Sequence, residues 1–216
     1  MGLFQQLTEK PWLPSPLPLA DARAIRLPAA RLGLRVFCGV VTVLFFLLLV
    51  AYAERMAFEE WRPSAQPWLM WLNTALLLTA SAGMQWAVTG VREERIEAVR
   101  TGLAGGGLFA VAFLAGQLVA WRQLALMTPF DITNASIAFF YLITALHGLH
   151  LLGGLVALGW TATRLQGDPP PAGLRLNVEL CAVYWHFLLV VWLVLFGLLF
   201  SGNDNLEILL ALCGVR

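Results

Sequence analysis

The sequence predicts an all-α membrane protein, a polytopic bundle of five transmembrane helices. Of its 216 residues, 59% are hydrophobic and only 12% are charged, whereas soluble domains have about 45–50% apolar and about 25% charged residues. A membrane-spanning helix needs about 20 predominantly apolar residues. Five runs meet that length, and they are Leu34–Ala53, Trp68–Val88, Leu103–Trp121, Ala135–Ala162 and Cys181–Phe200.

The two ends of the chain lie outside these runs. Residues 1–33 are rich in proline and contain no apolar stretch typical of a cleavable signal peptide, so they are predicted to form a flexible or extended cytoplasmic arm. Residues 34–200 form the membrane domain, and residues 201–216 are a short tail on the periplasmic side. The apolar part of that tail, Leu206–Val215, is too short to span and is expected at the interface.

The distribution of basic residues predicts the orientation. If the N-terminus is cytoplasmic, the inner segments hold ten lysines and arginines and the outer segments hold four. Because cytoplasmic loops are enriched in these residues, we predict a cytoplasmic N-terminus and a periplasmic C-terminus. We expect a multi-pass protein of the bacterial inner membrane. A net charge of +1 argues against nucleic acid as a partner.

Three of the spans carry stripes of small or polar side chains. The stripes are Asn73, Thr74, Ser81 and Gln85 on the second span, Ala112, Gly116 and Ala120 on the third, and Thr144, His147, His150 and Gly154 on the fourth. Small residues let helices approach closely in a membrane, and polar ones form hydrogen bonds across them. The stripes therefore indicate a packed bundle.

The fifth span contains Tyr184, Trp185, His186 and Trp192 within one apolar run. Hydrocarbon offers no partner to the polar edges of these rings. This span is therefore predicted to face protein rather than lipid.

The histidines allow two interpretations. His147 and His150 share a helix face and, with His186, could bind a metal ion or haem. We favour the second interpretation, in which each imidazole donates to a backbone carbonyl or a hydroxyl on a neighbouring helix. The chain has three histidines and no carboxylate inside a span. Its three cysteines also lack the close spacing of a thiolate site. We therefore predict no catalytic, cofactor-binding or metal-binding residue.

The acidic residues fall in loops or at span ends, which argues against a proton relay inside the chain. Glu179 lies nearest to a span, where an interfacial or N-cap role and a functional role both remain open. The mixed-charge run Val91–Arg100 is expected to be a solvated helical extension. The alternative is that Arg92, Arg95 and Arg100 contact lipid headgroups.

From about Val36 to Phe200 the sequence resembles subunit III of the haem-copper oxidases, the cytochrome c and quinol oxidases, in its five-helix form. The resemblance includes a motif in each span, in the same order as in the family. These are Phe45-Phe46 with Ala51-Tyr52, Asn73-Thr74 with Thr79–Ser81, Gln117, Thr144–His150 followed by Gly153-Gly154, and Tyr184–Phe187 with Val190–Trp192 after Glu179.

The chain departs from the family at three membrane positions. Thr42, Ala120 and Leu189 stand where members of the family often have acidic residues. Any role that depends on those acids does not transfer to this chain.

The resemblance implies a redox-inactive accessory subunit of a haem-copper terminal oxidase, which takes part in oxygen reduction coupled to proton export. It implies packing against catalytic subunit I, with subunit II in the same complex, haem and copper in those partners, and bound phospholipid. The family-motif residues expected to serve packing or interface contacts are Asn73, Thr74, Gln117, Thr144, His147, His150, Glu179, Tyr184, Trp185, His186 and Trp192.

Three alternatives remain open. The chain could be the corresponding subunit of a quinol oxidase or of a nitric oxide reductase complex. It could be a small b-type cytochrome with His150 and His186 as haem ligands. It could also be a transporter or channel, although no inverted internal repeat is visible in its spans.

Overall fold

The computed structural model describes residues 19–56, 58, 68–127, 135–165 and 171–200, with the backbone alone for residues 19–28, 171, 172 and 200. Everything in this described part is helix or short connection, which confirms the predicted all-α class. The helices are α1 (Leu19–Met56), α2 (Leu69–Arg92), α3 (Ile96–Met127), α4 (Ala135–Arg164) and α5 (Pro171–Phe200).

Four of these helices contain segments that are long and apolar enough to cross a membrane. The segments are Ala29–Met56, Ile96–Met127, Ala135–Arg164 and Gly173–Leu199. The protein is therefore a membrane protein with several apolar helices. Among the described residues, α2 is long enough to cross a membrane, but its mean hydropathy is too low. Polar side chains such as Asn73 and Gln85 interrupt its apolar sequence.

The helices extend beyond the apolar runs that predict them. Helix α1 begins at Leu19, so residues 19–33 are helical rather than extended. Hydropathy marks only the lipid-compatible part of a helix, whereas arginine, alanine and leucine continue the helical backbone past that part. The chain divides into two compact units, Met1–Val36 and Phe37–Arg216. Residues 1–18 and the predicted interfacial stretch Leu206–Val215 lie outside the described residues.

Helices α2 and α3 form a tight helical hairpin. Helix α2 ends at Arg92, and Glu94 adopts a left-handed backbone conformation with φ 58°. The Arg95 N–H then donates to the carbonyl of Gly90 at 2.8 Å, the pattern of a Schellman C-cap. The charge run predicted as a solvated helical extension therefore holds the end of α2 and the start of α3, and a left-handed residue reverses the chain between them.

Glycines bring the backbones of α2 and α3 together. A Cβ added at Gly102 would lie 2.6 Å from the Ala87 nitrogen and 2.7 Å from the Gly83 carbonyl oxygen. No side chain fits at such distances, so Gly102 is required for this close approach. Gly102 and Gly106 are four residues apart, which is the small-xxx-small pattern of membrane helix pairs.

The small stripe predicted on α3 lies further along the same helix. At Gly116 an added Cβ would overlap the Asn73 side-chain oxygen. Glycine is therefore needed at this position to admit a polar side chain from α2.

Helix α2 also packs against α5, and α4 packs against both α3 and α5. Within the second compact unit, α1 reaches its neighbours through aromatic rings. Phe45 and Tyr52 are buried, and the Tyr52 ring lies 5.9 Å from that of Phe139 on α4.

Candidate functional site: polar and aromatic contacts between the helices

His147 lies at the centre of the bundle and is completely buried. Three aromatic rings from three helices surround it. They are Phe45 on α1, Phe113 on α3 and Trp192 on α5, with ring centroids 6.4, 5.8 and 5.2 Å from the imidazole. Neither imidazole nitrogen has a hydrogen-bond partner among the described residues. The predicted hydrogen bond to a neighbouring helix is therefore wrong for His147, because the ring is enclosed by aromatic faces and edges.

Trp192 forms one side of this enclosure and connects α5 to α2. Its ring is fully buried and meets Phe113 edge-on at 4.8 Å. The indole N–H donates to the Thr74 hydroxyl oxygen at 3.0 Å, and that hydroxyl donates to the Met70 carbonyl at 2.9 Å. Trp192 and Thr74 are thus brought together across two helices, as expected for interhelical packing residues.

Asn73 and Gln117 form a second contact between α2 and α3. The Asn73 amide nitrogen donates to the Gln117 side-chain oxygen at 3.4 Å, and both residues are buried. The remaining Asn73 oxygen and Gln117 nitrogen have no partner among the described residues. This long single bond is a weak link between two amides that are each capable of more.

Thr144 and Trp121 join α3 to α4. The Trp121 indole N–H donates to the Thr144 hydroxyl oxygen at 3.0 Å, and this hydroxyl donates to the Phe140 carbonyl at 2.6 Å. Tyr141 donates from its hydroxyl to the Trp121 carbonyl at 3.1 Å. Thr144 therefore belongs to a contact between two helices of this chain.

His186 has a different environment from His147. It is half-buried on α5, and both ring nitrogens contact α2. The Ser81 oxygen lies 2.5 Å from Nδ1, and the Gln85 side-chain oxygen lies 3.1 Å from Nε2. His186 therefore contacts a neighbouring helix as predicted, although a neutral ring that donates from Nε2 to the Gln85 oxygen accepts from the Ser81 hydroxyl instead of donating to it.

His150 bonds within its own helix. Its Nδ1–H donates to the Leu146 carbonyl at 2.7 Å, so the predicted partner on a neighbouring helix is wrong. Its own carbonyl accepts the Tyr184 hydroxyl of α5 at 2.9 Å. The Tyr184 ring lies over Gly154, where an added Cβ would be 3.1 Å from Cε1. Gly154 and Tyr184 thus form the α4–α5 contact.

His150 and His186 have separate surroundings. The His150 ring lies 6.3 Å from Phe37 and 5.6 Å from Phe45, both on α1, whereas His186 contacts α2. Trp185, the neighbour of His186, is buried at 1% exposure. Within the residues that the structure describes, no group of three or more histidine, cysteine or acidic side chains is placed to hold a metal ion.

Glu179 joins the ends of α2 and α5 through ion pairs. Its carboxylate lies 3.1 Å from Arg175 Nε and 3.5 Å from an Arg92 nitrogen. It is therefore positioned as a link between two helices, rather than as an N-cap.

The other two arginines proposed for lipid contact also pair with acids. Arg95 contacts Glu93 at 2.6 Å, and Arg100 contacts Glu97 at 3.0 Å. All three arginine side chains, including that of Arg92, are more than half exposed. Their contact with headgroups remains a prediction.

The three positions without the family's acids differ in environment. Thr42 is exposed and donates to the Cys38 carbonyl at 2.8 Å. Ala120 is completely buried, and Leu189 is half-buried. The three positions therefore differ in exposure, from exposed to completely buried.

Sequence reasoning missed Phe113 and Gly102. Phe113 is four residues before Gln117, and this spacing places both on one helix face. Gly102 and Gly106 carry the glycine pattern of close helix pairs. Both spacings are present in the sequence. An apolar run, however, does not indicate which phenylalanine or glycine faces a neighbouring helix.

The chain matches known proteins over most of its length. The family model for cytochrome c oxidase subunit III matches residues 30–202. The chain is 28% identical over 174 residues to cytochrome c oxidase subunit 3 of Thermostichus vulcanus, covering 78% of this chain and 85% of that relative.

Two further relatives align over smaller fractions of their own sequences. Cytochrome c oxidase subunit 3 of Pylaiella littoralis is 32% identical over 148 residues, which are 66% of this chain and 52% of that relative. The chain thus spans about half of that relative's length. Cytochrome bo(3) ubiquinol oxidase subunit 3 of Buchnera aphidicola is 24% identical over 132 residues, or 61% of this chain and 64% of that relative. Because the family model covers most of a helical membrane chain whose motif residues join neighbouring helices, the protein belongs to the cytochrome c oxidase subunit III family.

Proposed function

We propose that the chain is a redox-inactive accessory subunit of a haem-copper terminal oxidase. It packs against catalytic subunit I, with subunit II in the same complex, and supports oxygen reduction coupled to proton export. The observation that carries the proposal is the family match over residues 30–202. The contacts of the motif residues support it, because Thr74, Thr144 and His186 bond to side chains of neighbouring helices.

The proposed topology has five spans, including α2. Helix α2 has 24 residues, which correspond to about 36 Å at about 1.5 Å per residue, enough for a hydrocarbon core about 30 Å thick. It forms a hairpin with α3, and the ten-to-four distribution of basic residues supports a cytoplasmic N-terminus. We place the protein in a bacterial inner membrane with its C-terminus periplasmic.

The proposal assigns haem and copper to the partner subunits and none to this chain. Both ring nitrogens of His186 are within hydrogen-bonding distance of Ser81 and Gln85, which favours a packing role over ligation. Phospholipid is proposed to bind near the exposed arginines at the α2–α3 turn, where glutamates partly offset the positive charge.

A second candidate is the corresponding subunit of a quinol oxidase. It is supported by the similarity to a subunit of cytochrome bo(3) ubiquinol oxidase. The two candidates share the same fold and accessory role and differ only in the electron donor of the whole complex.

Purification of the tagged chain from its native membrane tests the proposal. We expect it to co-purify with a haem- and copper-containing subunit, and the donor oxidised by that complex separates the two candidates. After the subunit is dissociated, metal analysis and absorption spectra should give no stoichiometric haem or copper in the isolated chain. A Soret band at one haem per isolated chain would contradict the accessory role and favour the small b-type cytochrome.

A further inference from the structure

Two buried amides between α2 and α3 carry hydrogen-bonding groups that the described helices do not satisfy. Asn73 and Gln117 are 0% and 3% exposed. A single bond joins them, from the Asn73 amide nitrogen to the Gln117 side-chain oxygen at 3.4 Å. The Asn73 oxygen and the Gln117 nitrogen have no partner among the described residues. The pair therefore leaves one acceptor and one donor inside the bundle.

This combination of one acceptor and one donor does not depend on how the amides are oriented. The oxygen and the nitrogen of a side-chain amide have nearly the same shape and size. If both groups were rotated, the Gln117 nitrogen would donate to the Asn73 oxygen, and the Asn73 nitrogen and the Gln117 oxygen would be left. In either orientation, a ligand for this pair must donate one hydrogen bond and accept another.

The buried hydroxyls nearest to the pair in the chain already use their protons. Thr74, which follows Asn73, donates to a carbonyl of its own helix and accepts from the Trp192 indole. Thr144 likewise donates to a carbonyl within α4 and accepts from the indole of Trp121. A hydroxyl has one proton to donate. Neither threonine can therefore satisfy the Asn73 oxygen.

A stripe of small residues on α3 borders the Asn73 amide. A Cβ added at Gly116 would overlap the Asn73 oxygen, and Ala112 and Ala120 flank this glycine at four-residue spacing. None of these three side chains can donate a hydrogen bond. Asn73 also lies four residues after Leu69, the first residue of α2, which is about 6 Å along the helix. Water at that end of α2 therefore has a short path to the pair.

We propose that Asn73 and Gln117 hold one internal water molecule between α2 and α3. The water donates to the oxygen of one amide and accepts from the nitrogen of the other. Buried waters bind in this way, with about two to four hydrogen bonds to polar groups that the protein itself leaves unsatisfied. A bare cation offers no acceptor to the amide nitrogen, and a halide ion offers no donor to the amide oxygen. The inference rests on contacts within this chain and is independent of the proposed function.

His147 serves as the internal reference for this site. Its two ring nitrogens also have no hydrogen-bond partner among the described residues. The ring is nevertheless packed against the aromatic rings of Phe45, Phe113 and Trp192, with centroids within 6.4 Å of its own. These rings surround it on three sides, whereas the amide pair is bordered by small residues. We therefore expect a bound water at the amide pair and none at His147.

Nuclear magnetic resonance of the full chain in lipid nanodiscs tests the proposal. With isotopic labelling of asparagine and glutamine amides and of histidine rings, we expect a nuclear Overhauser cross-peak between a long-lived water and the amide pair. Gln117→Met assigns the Gln117 signal and should abolish this cross-peak. The ring N–H of His147 should show no cross-peak to water. The proposal is overturned if neither Asn73 nor Gln117 shows one, and the proposed function then still stands.

Substitution of the bordering glycine gives an independent measurement. Gly116→Ala places a methyl group where the Asn73 oxygen lies, so the amide moves and the water cross-peak should be lost. Gly105→Ala meets nothing within 4 Å and is the matched control, in which the cross-peak should be unchanged. Helical circular dichroism confirms that both variants fold. An unchanged water signal in a folded Gly116→Ala variant would place the water away from Asn73 and overturn the proposal.

Discussion

His147 and His186 lie in neighbouring helices but are held in place by different forces. His147 is fully buried, has aromatic rings from three other helices around it, and makes no hydrogen bond among the described residues. His186 is half-buried and contacts Ser81 and Gln85 through both nitrogens. The His147 ring is therefore held by packing against aromatic rings, and the His186 ring is held by hydrogen bonds.

The difference shows that a histidine inside a membrane span does not define one kind of site. Removing a hydrogen-bonded ring leaves its partners unsatisfied, which costs free energy. Removing a ring without such partners loses packing contacts alone. Substitutions at the two positions should therefore have effects of different size and origin.

The largest effect on the free energy of unfolding is expected for Trp192, which forms one side of the aromatic enclosure around His147. Trp192→Ala removes the ring that contacts His147 and Phe113, and also the bond to Thr74. We expect the free energy of unfolding to fall by about 3–5 kcal/mol, as is usual for a large buried aromatic residue. Unfolding of the isolated chain in mixed micelles measures it. Trp86→Ala, at an exposed position, is the control, and an equal loss in both variants would contradict the prediction.

Close packing of the two backbones also determines the contact between α2 and α3. Gly102→Ala places a methyl group within 2.6 Å of the Ala87 nitrogen, and we expect a loss of about 1–3 kcal/mol from overpacking. Gly105→Ala meets nothing within 4 Å and should be neutral or slightly stabilising in the same unfolding measurement. An unchanged free energy of unfolding in the Gly102→Ala variant would mean that α2 and α3 can move apart at little cost in free energy.

His186→Leu tests the hydrogen-bonded environment. The substitution strands Ser81 and Gln85, so we expect a loss of about 1–3 kcal/mol in unfolding free energy and weaker assembly. Adding Ser81→Ala should recover part of the loss, because one stranded group is removed, and a double-mutant cycle measures this coupling. Complexes that still assemble should keep near-normal oxygen consumption per haem. Normal assembly with lost activity would instead place His186 in the chemistry.

The smallest effect is expected at His147. His147→Leu keeps an apolar side chain inside the aromatic enclosure and strands no hydrogen-bond partner among the described residues. We expect a change below about 1.5 kcal/mol, as for other substitutions of similar volume. The same unfolding measurement compares it with His186→Leu. A larger loss at His147 than at His186 would reverse the comparison and point to a buried polar partner such as water.

The sequence alone determined the helical membrane class and the family, and its five apolar runs correspond to the five helices of the described residues. Apolar content and length are local properties, so runs such as Ala135–Ala162 predicted α4 almost residue for residue. The sequence also identified Trp192, Thr74 and Thr144 as packing residues, because polar edges in hydrocarbon must bond to protein.

The tertiary structure decided which partner each side chain has. Three histidines of the same type have three environments: an aromatic enclosure, a bond within one helix, and a bond across two helices. It also decided that Gly102 lies at the closest approach of α2 and α3 and that Glu94 reverses the chain. Helical periodicity gives the face on which a residue lies, but the distance and rotation of the neighbouring helix arise only when all the helices pack together.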